Sequence, residues 1–115
     1  MATIRGTTPI FTISISGIDL SKNYRVYVTI DQNGTQLTKN SYDNADTLSV
    51  KATTDDEGTV TTSIEMSLTQ KETLDFEIGK ADMQAKWIDS SGVVDASDIS
   101  SVEFSRALLE EVIKA

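Results

Sequence analysis

Apolar side chains recur at every second position over most of this chain, the rhythm of β-strands that bury one face. Phe11, Ile13 and Ile15 alternate with Thr12, Ser14 and Ser16 in a first strand, and Pro9 stands where a strand start tolerates it. In a second strand Tyr24, Val26, Val28 and Ile30 oppose Arg25, Tyr27, Thr29 and Asp31. Asn33-Gly34 follows, a dipeptide suited to a two-residue type I′ turn, whose central residues both need positive φ. That turn sets Gln32 opposite Thr35 and Ile30 opposite Leu37. Leu37 then falls on the apolar side of a third strand.

Leu48, Val50 and Ala52 mark a fourth strand, and Val60, Ile64, Met66 and Leu68 a fifth, with Thr62 completing the alternation. All these positions are even-numbered, so antiparallel pairing across the polar loop Thr54-Asp55-Asp56-Glu57-Gly58 keeps them on one face. Thr69-Gln70-Lys71-Glu72 fits a capping box, which predicts one short helical turn. Leu74, Phe76 and Ile78 are expected to lead back into the core, with Gly79 as a break. Met83, Ala85 and Trp87 alternate in a sixth strand, which makes Trp87 a core residue rather than part of a binding face. After a turn at Asp89-Ser90-Ser91-Gly92, Val94, Ala96, Val102 and Phe104 are expected on one side of a long seventh strand. Ile99 is out of phase with them, which predicts a bulge near Ser97 and Asp98.

This pattern predicts an all-β fold: an immunoglobulin-like antiparallel β-sandwich of about seven strands, with one helical turn between strands five and six. The chain has 115 residues, enough for one domain, expected over 1–106. Residues 107–115 differ in kind. Leu108, Leu109, Val112 and Ile113 recur at helical spacing around Glu110 and Glu111, which predicts a short C-terminal helix that needs a surface to pack on. That surface is either its own domain or a partner, which makes these four residues the candidate partner-binding set.

The chain contains neither cysteine nor histidine. Disulfides, thiolate nucleophiles, Ser-His-Asp catalysis and the commonest zinc sites are thereby excluded. Carboxylates are the remaining catalytic material, in Asp55-Asp56-Glu57, Asp43 with Asp46, and Glu110-Glu111. All of them read as solvated turns or faces, and the loop before Gly58 lacks the alternating ligands of a calcium-binding EF-hand. No catalytic residue, metal or cofactor is expected, nor a small-molecule ligand. A net charge of −8 with no basic cluster argues against nucleic acid and anionic membranes as partners. No apolar run matches a secretory signal or a membrane span, so synthesis in the cytoplasm without a signal peptide is expected. Asn33-Gly34-Thr35 matches a glycosylation sequon, but its first two residues are better explained by the turn.

Three segments carry a resemblance: MATIRGTTP at 1–9, SLTQKETLDF at 67–76 and QAKWIDSSGVVDASDI at 84–99. The chain resembles short uncharacterised proteins encoded in phages and prophages of Gram-positive gut bacteria. Their start often reads like ATIRGTTPTF, their middle like LTQEETLKF, and their end like a V-x-W-L-D-x-D-G hairpin followed by ASDI. More loosely, it is similar to the immunoglobulin-like N-terminal domain of phage baseplate upper proteins. Those often begin with an R-G-D-T-like strand; here Arg5, Gly6, Thr7 and Thr8 stand in its place, with Thr7 at the acid's position. The resemblance implies a non-catalytic structural or assembly protein of a tail or baseplate. Its partners would be other phage structural proteins or itself, and it would be incorporated in the virion. The alternative is a carbohydrate- or cell-surface-binding module. For that role Tyr24, Tyr27, Tyr42 and Trp87 are the available aromatics, of which strand parity sends only Tyr27 outward.

Overall fold

The computed structural model describes residues 2–108 and Val112; among them nine strands and one short helix make two sheets. The strands are β1 (Ala2–Ile4), β2 (Ile10–Ser16), β3 (Tyr24–Gln32), β4 (Thr35–Asn40) and β5 (Leu48–Thr54). They continue as β6 (Val60–Ser67), β7 (Gly79–Asp89), β8 (Val94–Ala96) and β9 (Ser100–Ser105), with helix α1 (Gln70–Leu74) between β6 and β7. The larger sheet runs β1-β9-β7-β3-β4, with β8 also paired to β7; the smaller runs β2-β6-β5.

Alternation dictates which residues meet between the sheets. Val26, Val28 and Ile30 of β3 and Ala81, Met83, Ala85 and Trp87 of β7 are buried from the larger sheet. Phe11, Leu48, Ile64 and Met66 are buried from the smaller one, and all belong to a single hydrophobic cluster. Trp87 is a core residue, as its phase predicts. Thr62 is the polar exception in β6, and it is fully satisfied. Its hydroxyl donates to the Ile18 carbonyl at 2.6 Å and accepts from the Leu20 amide at 3.1 Å, fixing the β2–β3 connection with Leu20 in the core.

The hairpin register is the one the Asn33-Gly34 turn predicts. Gln32 pairs with Thr35 and Ile30 with Leu37, and φ is 49° at Asn33 and 93° at Gly34. The capping box also forms: the Thr69 hydroxyl accepts from the Glu72 amide, and the Glu72 carboxylate accepts from the Thr69 amide. Around α1 the chain is tied down by polar side chains. Arg5 donates to the carbonyls of Leu74 and Phe76, and Thr73 joins the Gly6 amide to the Thr7 carbonyl. Gln32 exchanges two hydrogen bonds with the backbone of Glu77, at 2.8 and 2.7 Å.

Four expectations are corrected. The strands number nine among the described residues, because β1 adds one and the long seventh strand divides into β8 and β9. The pairing is not wholly antiparallel, since β1 runs parallel to β9. Ile78 does not enter the core; it sits exposed in a bend where strand alternation has no force, and Phe76 takes the inward place. Finally, the two halves of the seventh strand face opposite ways. Lys86 pairs with Ala96 and Met83 with Ser100, so two residues of β7 span three of the other strand. That is the bulge predicted at Ser97 and Asp98, and its extra residue reverses the parity. Val102 and Phe104 point inward, whereas Val94 and Ala96 lie opposite the outward residues Ile88 and Lys86. The Ser97 hydroxyl closes the gap by accepting from the Ala85 amide at 3.0 Å.

Candidate functional site

The side of the larger sheet turned away from the core carries a cluster of aromatic and cationic side chains. On β3 the outward positions are Arg25, Tyr27, Thr29 and Asp31; on β7 they are Lys80, Asp82, Gln84, Lys86 and Ile88, with Lys80 opposite Glu103 of β9. Register sets them in rows across the sheet. Arg25 stands opposite Ile88, Tyr27 opposite Lys86, Thr29 opposite Gln84, and Asp31 opposite Asp82.

Tyr42 joins this face from the loop after β4. Ser41 holds the loop against β3, its amide donating to the Val26 carbonyl and its hydroxyl accepting from the Val26 amide. The Asn40 side chain then accepts from the amides of Tyr42 and Asp43, which shapes the turn. The result sets the Tyr42 hydroxyl 2.8 Å from that of Tyr27, with the rings edge to face at 5.9 Å. The Arg25 guanidinium lies 4.8 Å from the Tyr42 ring centre, within cation–π range. Tyr42 is still 48% exposed. Its bond to Tyr27 raises the Tyr42 phenol above the ordinary value.

Two open depressions flank the cluster along the strands. One, of about 450 Å³, is lined by Asn23, Tyr24, Arg25, Ile88, Asp89 and Ser90. The other, of about 230 Å³, includes Asp31, Gln36, Asp82, Gln84 and Ile99 in its lining. The face thus carries Arg25, Lys86 and the tyrosine pair on one side of the Thr29–Gln84 row and the Asp31–Asp82 row on the other, with Lys80 and Glu103 beyond Asp82.

The acidic segments read from sequence sit in turns. Asp55 accepts from the amides of Glu57 and Thr59 and so closes its own loop. Asp43 lies in the loop that carries Tyr42, and Glu110 and Glu111 are outside the described residues. Among the described residues no three acidic side chains converge as a metal site would require, and no helix is long and apolar enough to cross a membrane. Of the four tail residues, Leu108 is 95% exposed and Val112 45% exposed, the latter beside Ile10 and the α1 cap. Leu109 and Ile113 lie outside the described residues, as does most of the predicted C-terminal helix.

Sequence parity places Tyr27 outward but gives no hint that Tyr42 joins it, because a loop residue has no phase. The tyrosine pair and Arg25 come together only through the Asn40–Ser41 turn. Compared with models of known families and with curated proteins, the chain matches none.

Proposed function

We propose that this chain is a non-catalytic structural or assembly protein of a phage tail or baseplate, built on an immunoglobulin-like sandwich and acting through protein–protein contacts. The strand order supports the fold assignment. Sheets ordered β1-β9-β7-β3-β4 and β2-β6-β5 distribute successive strands between two layers as immunoglobulin-like sandwiches do, with the helical turn at the crossover from β6 to β7. The motifs at 1–9, 67–76 and 84–99 support the phage assignment by their resemblance alone.

The observation that carries the functional reading is the Arg25–Tyr27–Tyr42 cluster on an open sheet face. Tyr and Arg concentrate binding energy at protein interfaces, since each combines a large apolar body with a polar tip. A shallow, open surface of this kind suits a macromolecular partner. The alternative of a sugar-binding module is favoured by the exposure of Tyr42, yet Arg25 covers part of its ring and Trp87 is buried.

Particles purified from the phage or prophage that encodes the chain provide the test. The chain is expected in particles or in tail assembly intermediates, and Arg25→Ala combined with Tyr42→Ala is expected to cut its incorporation about tenfold or more. The denaturation midpoint of that variant should stay close to that of the parent. Absence of the parent chain from both fractions, or full incorporation of the variant, contradicts the proposal. Binding on a glycan array that Tyr42→Ala abolishes favours the sugar-binding alternative.

A further inference from the structure

We propose that the outer face of the larger sheet pairs with the same face of a second copy of this chain, about a two-fold axis running across the strands. This rests on reading that face as a protein-binding surface, and it names the partner. The argument begins with an oddity of register. Asp31 and Asp82 stand directly opposite each other on neighbouring strands, a juxtaposition that destabilises a sheet. Neither is ion-paired among the described residues, and neither is exposed Lys86. The nearest outward cation on β7, Lys80, stands directly opposite Glu103 of β9 rather than Asp31, so the Asp31–Asp82 pair is a cost in the isolated chain that an opposite charge from outside reduces.

The same face supplies that charge. On β7, Asp82 and Lys86 lie symmetrically about Gln84, each two residues away, or roughly 7 Å along the strand. On β3, Asp31 and Tyr27 lie symmetrically about Thr29, which is the residue opposite Gln84. A two-fold axis in the interface over the Thr29–Gln84 row reverses strand direction and keeps β7 over β7 and β3 over β3. Each Lys86 then meets the partner's Asp82, and each Tyr27, with Arg25 beyond it, meets the partner's Asp31. The alternative axis, parallel to the strands, lays the acidic row on the acidic row and is excluded by charge. An isologous interface needs a patch complementary to itself, and about the Thr29–Gln84 row this face meets that requirement with the axis across the strands.

Apolar surface follows the same geometry. Ile99 is 63% exposed beside Asp82 and Gln84, close to the proposed axis, and is buried against the partner's Ile99 on pairing. Each copy carries a net charge of −8, so long-range repulsion opposes association. That repulsion makes local complementarity, rather than general stickiness, the requirement for pairing.

A charge swap tests this. Sedimentation from about 1 μM to about 1 mM should show a concentration-dependent dimer of the parent chain, the span in which a weak specific interface is readable. Lys86→Asp and Asp82→Lys alone should each weaken dimerisation by about tenfold or more, because the two-fold axis counts every mismatch twice. Lys86→Asp combined with Asp82→Lys should restore it, because both partners of each pair are exchanged. If a single reversal fails to fold, the milder Lys86→Gln and Asp82→Asn replace it and should weaken the dimer less. A parent chain that stays monomeric, or a double variant no better than the singles, overturns the inference. A monomer still incorporated through Arg25 and Tyr42 overturns only the choice of partner, and leaves the face as a binding surface.

Discussion

Phe104→Ala should lower the unfolding free energy by about 3–5 kcal/mol in urea titration, with the slope of the transition little changed. Phe104 is 1% exposed and meets two other aromatic rings. It stacks on Phe76 at 4.8 Å with the planes 5° apart, and Phe11 meets it edge to face at 6.4 Å. Phe11 comes from the smaller sheet, Phe104 from the larger, and Phe76 from the segment after α1, so one ring holds three parts of the fold together. Its partner on β7 is Gly79, which has no side chain to fill the space that alanine would leave. Domains of this size are stable by about 5–15 kcal/mol in total, so the loss is a large share of the whole. Phe104→Leu keeps most of the volume and should cost about half as much or less. Ile99→Ala, on the outer side of the same sheet edge, should change stability by less than about 0.5 kcal/mol.

The second large effect lies at the ion pair under the capping box. Lys39 is buried, and its ammonium group donates to the Ser67 carbonyl at 2.9 Å, to Glu72 Oε1 at 3.0 Å and to the Thr47 hydroxyl at 3.2 Å. All three of its protons are used. Lys39→Met leaves those acceptors without their donor and should cost about 2–3 kcal/mol, toward the lower end for a broken buried pair because Glu72 is partly open to water. Glu72 also makes stability depend on pH. Burial raises its carboxyl, but hydrogen bonds from the Thr69 amide and from Lys39, with the charge of Lys39, outweigh that and hold it below the ordinary value for a glutamate. A folded value below the unfolded one means that the unfolded chain binds more protons between the two. The stabilisation is therefore complete above the unfolded value and is lost as pH falls through the folded one. Urea midpoints measured from neutral to strongly acidic pH should fall less steeply for Glu72→Gln than for the parent. Asp19 and Asp89 are lowered by bonds to their neighbouring serines, Ser21 and Ser91, and both remain in the variant, so the difference isolates Glu72.

What the sequence revealed, it revealed through local rules. Alternation identifies the inward residues of β3, β6 and β7, Asn33-Gly34 sets one register, and Thr69 with Glu72 marks the helix start. The misses share a cause: each depends on which strand lies beside which. β1 is three residues long, too short to show a period, and its parallel partner β9 lies at the other end of the chain. The bulge at Ser97 is legible, but the side to which it turns Val94 and Ala96 follows from counting residues against β7. Lys39 shares the inward parity of Leu37, and a lysine at such a position implies a buried acceptor set. Naming that set requires α1 to lie beneath β4. The proposed binding face is illegible in the sequence for the same reason. Periodicity sends Arg25, Tyr27, Lys86 and Asp82 outward one by one, and only the β3–β7 register assembles them into a pattern.

Adjacent residues of β7 face opposite worlds, one the core and the other the proposed binding surface. The absence of cysteine from the chain allows a direct measurement. Met83→Cys, Gln84→Cys, Ala85→Cys and Lys86→Cys, made singly, can be reacted with a thiol reagent in dilute solution, where self-association is negligible. The thiols at 84 and 86 should react at nearly the rate of a free peptide, while those at 83 and 85 should wait for unfolding. Equal rates at all four positions, or fast reaction at 83 and 85, would contradict the two-sided sheet on which the proposed binding face depends.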